Sequence, residues 1–542
     1  MSRTTISKHG AARTHHDGQE ERDIDGATTK GGTGTRNRPG RALRWTTLAV
    51  GAGAGALLSV GAFLGVYVRP TSDDWCALWK TRDMGALGIA SDFYRTQNGR
   101  VTNALLTGLL YTDGMRGPKL LPALLVVALG LGLFLLAREA LRALRLPFPV
   151  VATSAAVLVV EALLFFAGTR AYQVLLWAPA TLSHTLPSTI GVWAALSAVW
   201  AARSRRPWAR SAAVGSAVLT GAAIGTLSEP FVAMSGLAAS AAGVLCLPRL
   251  RLTHDRFAST WCAAWCLGLL VGTVVLVTSP GARWRRAQQP ERPLSLAELG
   301  ETFQDWSRIW ETIGGQWAYA GALAVGVLLG LALAPRTGRP VERPNGPARG
   351  TLLIAAALPV PLIALGSLVS AYGLRAGYGA DGWTYARTWT SFLLAFLLAL
   401  CGYGAWLGYR LRLRTAPHAA PAGAPEPETP VAGDASDGAP SPAARAIRLL
   451  TLFAAGVVAA ASTAALVPPV RTLTTLTVAR ALAWDSQDAR IRAEAAAGAG
   501  EVAYRPLRIG SLAEPFFTNT PARDWVAQCA ARYYRVDQLR QP

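Results

Sequence analysis

Apolar blocks of roughly twenty residues recur along this chain, and that is the length at which a helix crosses a hydrocarbon core. The first is Trp45–Val68. The others fall near 119–137, 149–168, 187–202, 211–227, 230–247, 258–278, 317–334, 351–371, 388–408 and 447–468. The pattern predicts an all-α polytopic membrane protein of about eleven transmembrane helices, with long outer loops and a small extracytoplasmic C-terminal cap. Composition excludes the soluble alternative. Of 542 residues 51% are hydrophobic and only 16% charged, where a soluble chain carries about a quarter charged.

The excess of Lys and Arg, 53 against 32 acids, would suggest nucleic acid in a soluble protein. Here it marks cytoplasmic loops, and no nucleic-acid motif accompanies it. Residues 1–44 are polar, Gly-rich and basic, and read as a disordered cytoplasmic tail. Arg41 and Arg44 hold the near end of the first block inside, and no cleavage site follows it, so it is a signal anchor. Alternate loops then carry Arg138, Arg142 and Arg145; Arg203, Arg205, Arg206 and Arg210; Arg249, Arg251 and Arg256; Arg336, Arg339, Arg343 and Arg349; and Arg410, Arg412 and Arg414. These loops obey the positive-inside rule in succession. The expectation is a plasma (inner) membrane protein with a cytoplasmic N-terminus and an extracytoplasmic C-terminus.

The membrane domain spans 45–414. A Pro/Ala-rich stretch, 415–446, is a flexible cytoplasmic linker before the last span, 447–468. Residues 469–542 form the cap, with a helical segment (ARALAWDSQDARIRAEAAAGAG), a strand-like piece and the terminal DWVAQCAARYYRVDQL.

Four outer segments carry more polar chemistry than connection requires: 69–118, 168–187, 279–316 and 371–388. The third places Arg283, Arg285, Arg286 and Arg292 outside, against the charge rule. An anionic partner at the outer leaflet accounts for them, since a guanidinium pairs with two phosphate oxygens at once; contact with ordinary lipid headgroups would serve equally. Asp73 and Asp74 follow span one directly and suit a general base or a ligand for a hard divalent cation. Ser72 or Asp73 could instead cap a helix beginning DWCALW. Glu229, in Ser-Glu-Pro, is an ordinary helix start as readily as a catalyst. Glu161 lies well inside a span, and intramembrane acids often mark a site. His184, in LSHTLP, is a candidate substrate contact. Outer Trp and Tyr residues form an interfacial belt, a minority of which, such as Trp75, could meet a sugar face. Of six cysteines only Cys76 and Cys529 are placed outside, where disulfides persist, and they are expected to pair. No Cys/His spacing supports zinc.

The Asp-Asp pair after span one, the Asn-Gly-Arg ending in Arg100 on an outer amphipathic helix, and long outer loops after spans one and seven resemble the GT-C superfamily. These are membrane glycosyltransferases that use polyprenyl-phosphate donors. TSDDWC, QNGR, SPGARWRR and DWVAQCAARYY are similar to stretches of a bacterial membrane protein family known only as a domain of unknown function, from about residue 45 to the end without the linker. The superfamily resemblance implies a GT-C-like fold and a catalytic base or metal ligand at Asp73 or Asp74, with Mg or Mn as the cation. A second acidic role falls on Glu229 or Glu161. It implies a polyprenyl-phosphate-sugar donor, an envelope glycan or lipid acceptor, and surrounding membrane lipids as partners. Asp74, or Asp73, would deprotonate the acceptor hydroxyl. Arg283, Arg285, Arg286 and Arg375 or Arg387 would stabilise the leaving phosphate, with Arg100, Glu161, His184 and Trp75 contacting substrate. A lipid-linked glycan ligase or polymerase would lean on the arginines and His184. A flippase or transporter would need a polar path through the membrane.

Overall fold

The computed structural model describes residues 38–250, 255–288, 295–333, 349–415, 441–509, 514 and 523–542. Residues 1–37, most of the 415–446 linker, and Arg251, Arg292, Arg336, Arg339 and Arg343 lie outside them. The chain is almost wholly helical. In order come α1 (Arg38–Phe63), α2 (Asp73–Thr96), α3 (Val101–Leu110), α4 (Arg116–Ala143), α5 (Val150–Phe166), the single turn α6 (Ala178–Ala180), α7 (Leu186–Arg203), α8 (Pro207–Gly225), α9 (Glu229–Leu245) and α10 (Phe257–Thr278). Then follow α11 (Pro280–Ala287), α12 (Leu296–Gly315), α13 (Ala320–Ala332), α14 (Arg349–Ala357), α15 (Pro359–Tyr378), α16 (Thr390–Arg414), α17 (Pro442–Ala464), α18 (Val467–Ala496) and α19 (Trp525–Tyr534). Strands β1 (Glu501–Ala503) and β2 (Gln538–Arg540) pair in parallel, with Val502 opposite Leu539.

Every apolar block of the sequence is helical. Seven helical stretches are long and apolar enough to cross a membrane, and an eighth counts if α12 and α13, bent by 69°, form one span. The count of about eleven is larger because it includes α5 and α9, at 17 residues each, and α8. Two expected boundaries shift. Helix α1 starts at Arg38, so the last residues of the 1–44 tail are helical: Ala42, Leu43 and Arg44 favour helix, and Pro39 suits a first turn. Helix α17 starts at Pro442, where the Ser441 side chain accepts the Ala444 N–H and stops the linker short of 446.

Small residues set the closest helix pairs. Gly221-x-x-x-Gly225 of α8 faces Gly268-x-x-x-Gly272 of α10, and Gly326-x-x-x-Gly330 of α13 faces Gly404-x-x-x-Gly408 of α16. A Cβ at Gly272 would strike the Ala222 carbonyl oxygen, and one at Gly408 that of Val327. Such approach maximises dispersion contact where lipid offers no hydrophobic contrast. Polar bonds tie the basic helix ends together. Arg203 at the end of α7 pairs with Glu139 near the end of α4, and Arg210 of α8 with Asp255 just before α10 at 2.9 Å. Arg448 of α17 donates to Arg412 O of α16 at 2.9 Å. The helix ends bearing Asp73, Glu229 and Leu276 therefore collect at the opposite end of the bundle.

Candidate functional site

At that opposite end the segment Arg69–Ser72 leads into α2. Ser72 stands at φ 50°, in the left-handed region that a non-glycine residue adopts at a cost of about 1–2 kcal/mol. Its side chain makes no capping bond. The segment is held from the C-terminal cap. Arg480 of α18 donates to Arg69 O at 3.2 Å and Pro70 O at 2.6 Å, and pairs with the buried Glu514. Arg69 itself forms a two-bond pair with Asp485, at 2.6 and 2.8 Å.

The two adjacent carboxylates have different fates. Asp74 is 1% exposed. One of its oxygens accepts the Tyr111 hydroxyl, and the other accepts the Thr71 N–H at 3.0 Å. Burial pushes its pKa up to about 7, opposed by the Tyr111 and Thr71 bonds and reinforced by the charge of Asp73. Asp73, on the first turn of α2, is exposed. Protein nevertheless surrounds it in depth, and burial raises its pKa against the pull of Arg387, Arg285 and Arg100. Its open surface limits how far burial can act. Of the pair, Asp73 is the carboxylate left accessible. Asp74, offered alongside Asp73 as the base on the sequence, accepts a hydrogen bond at each oxygen.

Arg100 and Arg285, two of the arginines that act on Asp73, line a cavity of about 410 Å³ between the α2–α3 turn, α9, α10, α11 and α15, whose lining does not include Asp73 itself. Its charged wall holds Arg100, Glu229, Arg285 and Arg286; Leu276, Ala233, Val369 and Leu374 make it apolar elsewhere. Two glycines bring the wall together. Gly99, at φ +76°, leaves no room for a Cβ against Ser279 and the Leu276 carbonyl, and Gly281 packs on the Gln97 backbone. Asn-Gly-Arg and Ser-Pro-Gly thus dock turn against turn, which places Arg100 and Arg285 in one cavity.

The other expected residues divide. Glu229 lines the cavity but pairs with Arg100 at 2.9 Å. His184 also lines it, 8% exposed, with no partner for Nδ1. The Arg285 side chain lines the cavity too and makes no hydrogen bond among the described residues. Arg286 lines the cavity while donating to Val277 O at 2.6 Å, whereas Arg283 turns back to Thr278 O at 2.9 Å and lies outside the lining. Arg387 donates to Gln173 at 3.0 Å and stacks over Trp177 and Tyr385. Arg375 is corrected: Asp305 at 2.7 Å, Glu298 at 3.3 Å and Glu301 surround it, and its charge is spent on α12. Trp75 is corrected too. It is 0% exposed among Trp484, Tyr504, Tyr533 and Tyr534, leaving no face for a sugar. Glu161 is 1% exposed, unpartnered and packed at Gly130, apart from the cavity lining.

Cys76 and Cys529 form a disulfide across 453 residues, fastening α19 to α2 two residues beyond Asp74. Tyr111, Arg480 and Glu514, central to this geometry, carried no local sequence signal. A divalent cation fits poorly. Each Asp74 oxygen is buried and already accepts a hydrogen bond, three guanidinium groups act on Asp73, and no group of three His, Cys, Asp or Glu able to hold a metal occurs among the described residues. No family model matches the chain, and neither a curated protein nor a solved structure does.

Proposed function

We propose that this chain is a membrane glycosyltransferase that moves a sugar from a polyprenyl-phosphate donor to an acceptor on the extracytoplasmic side of the inner membrane. The observation that carries the reading is the open carboxylate of Asp73 under the charges of Arg387, Arg285 and Arg100, the last two of which line a cavity that is basic on one wall and apolar on others. An anionic headgroup with an acyl tail matches that division. The resemblance to GT-C enzymes supports the same assignment, with this end of the bundle facing outward.

In this mechanism Asp73 takes the proton of the acceptor hydroxyl as its oxygen bonds to the anomeric carbon. The bond from that carbon to the phosphate oxygen breaks, and polyprenyl phosphate departs with the electron pair. Arg285 and Arg286, with Arg100 steadied by Glu229, offset the growing phosphate charge. Asp74, hydrogen-bonded to Tyr111 and Thr71, positions α2 and does not meet substrate.

The test is reconstitution in lipid with a panel of polyprenyl-phosphate sugars. The expected result is release of polyprenyl phosphate by the wild type, abolished in Asp73→Asn and reduced but present in Asp74→Asn. Turnover that survives Asp73→Asn removes the base from this mechanism. One observation favours a second reading, a ligase of lipid-linked glycans: the free Nδ1 of His184 in the same cavity. Loss of activity in His184→Ala with Asp73→Asn unaffected would select it.

A further inference from the structure

Helix α12 presents two faces of opposite character. Its acids Glu298, Glu301 and Asp305 surround Arg375 of α15. On the other side Leu296, Leu299 and Phe303, spaced at i, i+3 and i+7, are 89%, 49% and 57% exposed. Three large apolar side chains left open on one stripe of an amphipathic helix need a cover.

The contacts with α15 indicate what supplies it. Asp305 meets Arg375, while Trp306 and Trp310 both donate to Ser367 Oγ, at 2.9 and 3.1 Å. Ser367 and Arg375 are eight residues apart, about 12 Å along the axis of a membrane-crossing helix. Helix α12 therefore lies along the flank of α15, and its opposite stripe points sideways, away from the bundle. A bend of 69° then turns the chain into the buried α13, and Trp317, at the bend, is 55% exposed. A tilted helix beside a span, apolar outward, with an exposed Trp where it turns, has the form of an interfacial helix.

We infer that the Leu296–Leu299–Phe303 stripe is a lipid-contact surface, seated among the upper acyl chains of the leaflet at the cavity end of the bundle. The seating has a consequence for the cavity. Val369, Ser370, Leu374 and Tyr378 of α15 line it, and Arg375 in the same stretch is gripped by the acids of α12. Lipid contact on one face of α12 thus bears on the cavity wall through the other. This inference does not depend on the reaction catalysed.

The test uses the full chain in phosphatidylcholine vesicles, with Cys246, Cys262, Cys266 and Cys401 replaced by Ser and the disulfide kept. A nitrobenzoxadiazole label is attached in turn to Leu296→Cys, Leu299→Cys, Phe303→Cys, Gln304→Cys and Glu311→Cys. Lipid carrying a nitroxide on the upper acyl chain should quench the first three several-fold more than the last two. Equal quenching at all five positions, or stripe labels open to aqueous iodide, overturns the inference. So does shielding that disappears on dilution of protein in lipid, which assigns the stripe to a second copy of the chain. Should the replaced background fail to fold, an acyl-chain carbene photolabel on the unaltered protein gives the same reading: insertion at Leu296, Leu299 and Phe303 supports lipid contact, and insertion elsewhere on α12 alone refutes it.

Discussion

The Tyr111 hydroxyl donates to the buried carboxylate of Asp74, so the second acid of the Asp-Asp pair is tied to the residue that caps the C-terminus of α3. The bond joins the two helices between span one and α4. Tyr111→Phe should cost about 1–2 kcal/mol, because one oxygen of a buried acid loses its donor. A fall in detergent melting temperature would show it, with the backbone fold unchanged by circular dichroism.

The pKa of Asp74 makes stability depend on pH. In the folded protein it is raised to about 7 from the usual 3.8, so between those values the folded state holds a proton that the unfolded chain releases. The stabilisation is complete below about pH 4 and is lost as pH rises through 7, on the order of 4 kcal/mol in all. Asp74→Asn should flatten the melting temperature between pH 5 and pH 8 relative to wild type. An unchanged slope would place the titration elsewhere.

Turnover should separate the two acids. Asp73→Asn is expected to lower the rate about 10²–10⁴-fold, the usual contribution of a positioned base. Asp74→Asn should leave most of it. Single-turnover release of polyprenyl phosphate measures both without interference from product departure.

The arginines should separate in the same way. Arg285→Ala and Arg286→Ala should weaken binding of a polyprenyl-phosphate analogue by about 1.5–3 kcal/mol each, the size of a charge-assisted bond, with little effect on melting. Arg375→Ala should do the reverse: it leaves Asp305, 2% exposed at its side chain, without its buried cation and should destabilise by about 3–5 kcal/mol.

Reduction of the Cys76–Cys529 bond should lower stability by about 2–4 kcal/mol, within the range for native disulfides. Because the cap also grips Arg69 and Pro70 through Arg480, Cys529→Ser should retain the fold. A free-thiol count of four in the denatured, unreduced protein, against six after reduction, checks the pairing.

Much of this architecture was legible in the chain. The apolar blocks, the first-loop acids and the two isolated cysteines are local features whose physics acts over a few residues or over the thickness of a bilayer. The two counts part at α5, α8 and α9: all three are apolar, but α5 and α9 are shorter than the clear spans and α8 is not classed with them. The GxxxG pairs were present in the sequence as well, but which pair faces which is a matter of packing.

The site divides along the same line. Sequence alone determined which charges are available near one end of the bundle: Asp73, Asp74, Arg100, Glu229 and the α11 arginines. Tertiary structure alone decided which of them remain free. Arg375 looks in sequence like any other basic residue of its loop, and only the approach of α12 consumes its charge. Asp73 and Asp74 are chemically identical neighbours. Consecutive positions on a helix point about 100° apart, so one turns toward Tyr111 and the interior while the other faces the arginines. A carboxylate's reactivity follows its burial and its partners, and those come from other segments brought in by the fold: Tyr111 for Asp74, and Arg100, Arg285 and Arg387 for Asp73.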